Sequence, residues 1–105
     1  MPSIVFNVPR HLETNKVMTW APGTLFVKHV PRRLVKGEYV YVCHRNCILF
    51  RAKYKKATWG PKISNEGEDR GNGWRLEIGK LELPPQKISR RCHIGFSYVA
   101  GGELW

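Results

Sequence analysis

A chain of 105 residues sets the expectation of one domain over residues 1–105, and 42% hydrophobic with 25% charged content excludes a disordered composition. Eighteen Lys and Arg against eight Asp and Glu give a formal net charge of +10, a self-repelling excess that a polyanionic partner relieves. No apolar run approaches the roughly 18 residues of a membrane span, Met1 to Val8 does not read as a signal peptide, and three cysteines argue against a secreted disulfide framework, so the expectation is cytoplasmic with no membrane partner.

In chain order, Ser3 to Val8 (SIVFNV) is β-branched and lies between Pro2 and Pro9, which predicts a short first strand. Pro9 to Met18 is the best helix candidate, with Pro9 in the first turn and Leu12 and Val17 on an inward face. Pro22-Gly23 ends it. Thr24 to Val30 predicts a second strand, with Leu25, Val27 and His29 on one side and Phe26, Lys28 and Val30 on the other. A basic connector, Pro31 to Gly37, follows and ends on a turn glycine.

Glu38–Cys43 and Cys47–Lys56 then predict a hairpin around the three-residue turn His44-Arg45-Asn46, with Asn46 in the left-handed position. Residues 62–73 are polar, carry Glu66, Glu68 and Asp69, and read as a long loop. Trp74 to Leu83 predicts a strand whose apolar phase slips by one residue at Gly79, the mark of a bulge or bend. Cys92 to Val99 is the final strand. The sum is a mainly β fold with one or two short helices and five to six mixed strands, expected to close into a small barrel without exposed edges.

Alternation on the Cys47–Lys56 strand puts Arg51, Lys53 and Lys55 in one row, opposite Phe50, Ala52 and Tyr54. Three like charges in a row repel unless neutralised, and a phosphate backbone neutralises them with counterion release. Arg32 and Arg33 in the connector, and Arg90 and Arg91 near the end, extend this surface; an ordinary solvated face is the alternative. Trp20 and Trp59, which precede Pro or Gly, are the aromatics best placed to stack an unpaired base, whereas Trp74 reads as core. Asn7 interrupts an apolar strand and either reads a base edge in a pocket or caps the following helix. Lys28 either faces solvent or lines that pocket with Asn7 and Trp20.

Cys43, Cys47, Cys92, His44 and His93 have poor spacing for zinc, because three residues separate the first pair and adjacent residues of a strand point apart. Reduced, partly buried cysteines, or a strained Cys43–Cys47 contact, fit better, so no metal and no cofactor are expected. The scattered His11, His29, His44 and His93 form no nuclease constellation, and Glu66, Glu68 and Asp69 read as a solvated loop run.

The order VFNVP, a short helical stretch, TLFVKHVPRRLVKGEYVYV and ILFRAKYKKA resembles the PUA-like superfamily, which includes PUA, ASCH and EVE domains, and most of all its small archaeal members of unknown function. The matching pieces are Val5 to Pro9, Phe26-Val27-Lys28, Gly37 to Val40, and the late Ile94 to Val99; Arg51 departs from the pattern. The resemblance implies a pseudo-barrel that binds RNA or, as in EVE relatives, holds a modified base in a pocket. It leaves two alternatives: a metal-independent ribonuclease of ASCH type, and an accessory protein docked on a ribonucleoprotein. The expected partner is RNA, structured or single-stranded, with DNA carrying modified bases as a second candidate.

Overall fold

The computed structural model describes residues 2–63, 69–91, 95–100 and 104–105, the side chains of 62, 63, 69 and 70 excepted. Six strands and one short helix follow in the order β1 (Pro2–Val8), α1 (Thr14–Met18), β2 (Gly23–Val27), β3 (Tyr39–His44), β4 (Cys47–Ile63), β5 (Asp69–Ile78) and β6 (Phe96–Ala100). They form one mixed sheet in the order β2-β5-β4-β3-β1-β6, parallel between β1 and β3 and antiparallel at every other pairing. The fold is mainly β, as the sequence predicts. The sheet does not close into the expected barrel: β2 and β6 are its two outer strands.

Alternation along β1 sorts its side chains between two cores. Ile4 and Val8 enter the larger one, with Val17 of α1, Leu25 and Val27 of β2, Val40 and Val42 of β3, Phe50 and Ala52 of β4, and Leu76 and Ile78 of β5. Val5 faces the other way and packs with Tyr41, Cys43, Ile48 and Val99 under Leu104 and Trp105. Each fully buried large side chain contributes about 1.5–3 kcal/mol of apolar transfer. With both sheet faces covered, β3 is a continuous apolar run (Tyr39–Cys43) rather than an alternating one.

Several predicted boundaries move. Only Thr14–Met18 is helical; Pro9 instead opens a turn closed by the Leu12 amide on its carbonyl at 3.3 Å, and Glu13 is the N-cap without a side-chain hydrogen bond. Strand β2 stops at Val27, three residues early. The β3–β4 turn has two central residues, not three: Arg45 (φ 52°) and Asn46 (φ 59°) are both left-handed, while His44 pairs with Cys47. Two positive φ values in succession define the tight turn whose twist matches the flanking strands. Most of the predicted loop at 62–73 is instead hairpin, since β4 runs on to Ile63 and β5 starts at Asp69; Glu66 and Glu68 lie outside the described residues. The last strand, β6, is described from Phe96 to Ala100; Gly95 before it is not strand, and Cys92, His93 and Ile94 of the predicted strand lie outside the described residues.

The slip predicted at Gly79 is present. Tyr54 faces Ile78 and Arg51 faces Glu82, so residues 78–82 carry one residue more than 51–54, and the Gly79 amide bonds the Lys53 carbonyl at 2.9 Å. A second irregularity, at Lys55 on β4, lies between the Tyr54–Ile78 and Lys56–Glu77 pairs. Here β4 passes from pairing with β3 to pairing with β5.

Cys43 is disulfide-bonded and Cys47 is a free thiol, so the expectation of reduced cysteines does not hold at Cys43. That removes one of the observations pointing to a reducing compartment. Among the described residues, no helix is long and apolar enough to cross a membrane.

Candidate functional site

The connector between β2 and β3 carries the first half of the site. Pro31 and Leu34 are buried, and the Leu34 amide donates to the Pro31 carbonyl at 3.2 Å. This turn is anchored at its ends, so its two central residues, Arg32 and Arg33, are left exposed. Gly37 (φ 94°) then redirects the chain into β3, its amide on the Tyr54 carbonyl at 3.0 Å.

The second half comes from β5 and β6. Trp74 lies on the inward face of β5, in phase with Leu76 and Ile78, and Phe96 and Tyr98 alternate onto the corresponding face of β6. Phe96 and Tyr98 meet edge to face at 5.7 Å between ring centres. Tyr98 joins the halves: its hydroxyl accepts the Arg33 backbone amide at 3.2 Å, and the Arg33 guanidinium stands 5.2 Å over its ring.

Together these residues line a cleft of about 720 Å³, walled by Trp74, Phe96, Tyr98 and Val30 and rimmed by His29, Arg32 and Arg33, with no carboxylate among the described residues of the lining. Beside it, β4 pairs Trp59 with Trp74, and the two indoles meet edge to face at 5.4 Å. Trp59 is 58% exposed, a flat apolar surface next to the cleft. The arrangement offers planar faces for stacking and cations for an anion at one place.

The predicted row Arg51–Lys53–Lys55 has a different character. Arg51 is held inside the fold: two of its nitrogens donate to Glu82 Oε1 at 3.0 and 3.2 Å, a third bonds the Trp105 carbonyl, and its guanidinium lies between the rings of Tyr39 (4.0 Å) and Trp105 (4.8 Å). Burial opposes its charge, yet the bonds to Tyr41 and Glu82 and the fields of Tyr39 and Glu82 hold its pKa above the ordinary value. Lys53 and Lys55 are exposed, but the irregularity at Lys55 breaks the simple alternation that put all three in a row.

Asn7, Trp20 and Lys28 do not share a cleft. Asn7 lies in the Val5 phase of β1 and donates its amide nitrogen to the Gly95 carbonyl at 3.1 Å, which also removes it as a helix cap; its buried Oδ1 has no partner among the described residues. Trp20 packs against the opposite, larger core, and Lys28 is exposed just past β2. None of the three lines the cleft. Arg90 and Arg91 sit at the far end of β4 from Trp59, where the Arg90 amide bonds the Asn46 carbonyl of the β3–β4 turn at 3.0 Å.

Of the predicted site residues, the cleft therefore gathers Arg32 and Arg33, with Trp59 alongside. It adds His29, Trp74, Phe96 and Tyr98. The alternation Phe96-x-Tyr98 was the available sign of two rings on one strand face. Among the described residues no three His, Cys, Asp or Glu side chains come together as metal ligands. Comparison of the chain with known protein families, curated proteins and solved structures finds no match to any of them.

Proposed function

We propose that this protein binds single-stranded RNA through the cleft between the β2–β3 connector and β6. One base stacks among Trp74, Phe96 and Tyr98, a neighbouring base lies on Trp59, and the adjacent phosphates meet Arg32, Arg33 and His29. The observation that carries this reading is an aromatic-walled cleft rimmed by Arg32 and Arg33, with no carboxylate among its described lining residues. The net charge of +10 supports it, because long-range attraction of a polyanion adds to the local contacts. Membership of the PUA-like superfamily belongs to the same proposal and rests on the sequence resemblance alone.

Tryptophan emission tests the reading directly. A short unstructured RNA is expected to quench Trp59 and Trp74 saturably. Tyr98→Leu, which keeps the apolar volume but loses the flat ring, is expected to weaken binding by about 1–3 kcal/mol. Saturable binding without quenching, and unchanged in Tyr98→Leu, places the RNA elsewhere.

A second reading, metal-independent RNA cleavage, draws on His29, an imidazole at the cleft rim beside two guanidinium groups. Its test is turnover of RNA in EDTA that is lost in His29→Ala.

A further inference from the structure

The same three strands that support Trp74 carry a different set of side chains on their other face. Trp74 and Arg75 are consecutive on β5, so they project to opposite sides of the sheet. Across β2, β5 and β4 the register aligns Thr24 with Glu77 and Lys56 in one rung, and Phe26 with Arg75 and Thr58 in the next. Thr24, Lys56, Thr58, Arg75 and Glu77 line a polar cavity of about 280 Å³. Phe26, 43% exposed, lies beside it on the outer strand.

Two details set Arg75 apart. Its guanidinium lies against the α-carbon of Gly60, where an added Cβ would come within 2.8 Å of Nη2 and 3.1 Å of Cζ, so a glycine at 60 leaves the room it occupies. Among the described residues its buried Nε has no hydrogen-bond partner and Arg75 forms no ion pair. Glu77, the one acid among the described residues of the lining, lies 3.6 Å from the Lys56 ammonium instead. A buried donor left unmet on a charged group carries a desolvation cost that a matching acceptor removes. A tetrahedral oxyanion is such an acceptor: guanidinium binds it through paired N–H donors, and the Thr24 and Thr58 hydroxyls can donate to its remaining oxygens.

We propose that this cavity is a site for a single phosphate group, on the opposite face of the sheet from the aromatic cleft and independent of the function proposed for it. Arg75 is the principal ligand, Lys56 adds charge, and Gly60 provides the space that holds the guanidinium in place. The shared chemistry, a phosphate dianion or monoester, has two sources: free phosphate, or the terminal phosphate of an RNA.

The test is titration of the protein with inorganic phosphate, followed through the backbone amide resonances of Thr24, Thr58 and Gly60, against chloride at equal ionic strength. Saturable shifts specific to phosphate are expected, with affinity lost by roughly tenfold or more in Arg75→Gln. Gly60→Ala, which displaces the guanidinium without removing it, is expected to weaken binding too, and an unchanged amide spectrum elsewhere verifies that each variant folds. Arg75→Gln retains affinity for an RNA lacking a terminal phosphate, so failure of this site is distinct from failure of the cleft. A 5′-phosphorylated RNA that binds wild type more tightly than its 5′-hydroxyl twin, with no difference in Arg75→Gln, assigns the source to RNA ends; equal affinity assigns it to free phosphate. Shifts that do not saturate, occur equally with chloride, or persist in Arg75→Gln overturn the proposal.

Discussion

Arg51 and Arg33 both stand over tyrosine rings, but their surroundings commit them differently. The Arg51 charge is matched by Glu82, and its planar faces are covered by Tyr39 and Trp105. Replacing it with Ala exposes one carboxylate and two rings that it holds, so Arg51→Ala is expected to cost about 1–3 kcal/mol in urea unfolding while leaving RNA affinity nearly unchanged. Arg33, at an exposed turn, keeps its charge available to a ligand. Tyr54 supplies a pH signature at the same scale. Burial pushes its phenol pKa up in the folded state, so the unfolded chain releases that proton first as pH rises. The stabilisation is fully present below the unfolded value, near 10, and is lost progressively as pH climbs through the folded one. Alkaline unfolding above about pH 10 is therefore expected to be shallower in Tyr54→Phe, measured as midpoint against pH.

The β3–β4 hairpin and the β4–β5 arm show what the sequence makes legible and what it hides. The hairpin is legible because two runs rich in apolar and aromatic residues flank a short polar break, but its turn length is not: a side chain alone does not announce that Arg45 joins Asn46 at positive φ. At φ 59° a β-branched side chain meets its own backbone, so Asn46→Val is expected to destabilise the protein by about 1–2 kcal/mol in thermal or urea unfolding. The β4–β5 arm is hidden because the polar, glycine-containing stretch 62–73 reads as loop, whereas Asn72 and Gly73 pair with Pro61 and Gly60 in an extended hairpin. The register that follows decides the site. It puts Trp59 against Trp74 at the cleft and Arg75 against Thr58 on the reverse face, a division that local propensity does not encode.

At the scale of the whole molecule, the charge excess was legible from composition, but its distribution was not. Alternation alone placed the basic row on β4; the irregularity at Lys55 and the contacts of Arg51 are tertiary outcomes that remove its regularity. The cleft assembles residues from positions 29 to 98, and the Tyr98 hydroxyl bonded to the Arg33 amide joins β6 to the connector that follows β2 at the other end of the strand order. No short motif spans that separation. Arg32 and Arg33 were nonetheless identifiable as an exposed basic pair, and the turn from Pro31 to Leu34 is what directs them outward.

The central claim, that RNA phosphates are held by the connector arginines rather than the β4 lysines, is tested most directly by the salt dependence of affinity. Binding of a short single-stranded RNA is to be measured across salt concentrations for wild type, Arg32→Gln with Arg33→Gln, and Lys53→Gln with Lys55→Gln. The arginine pair is expected to lose affinity and to flatten the slope of log affinity against log salt by about 1.4, at about 0.7 per phosphate contact removed. The lysine pair is expected to retain most of both. An unchanged slope in the arginine variant, or the larger loss in the lysine variant, contradicts the account.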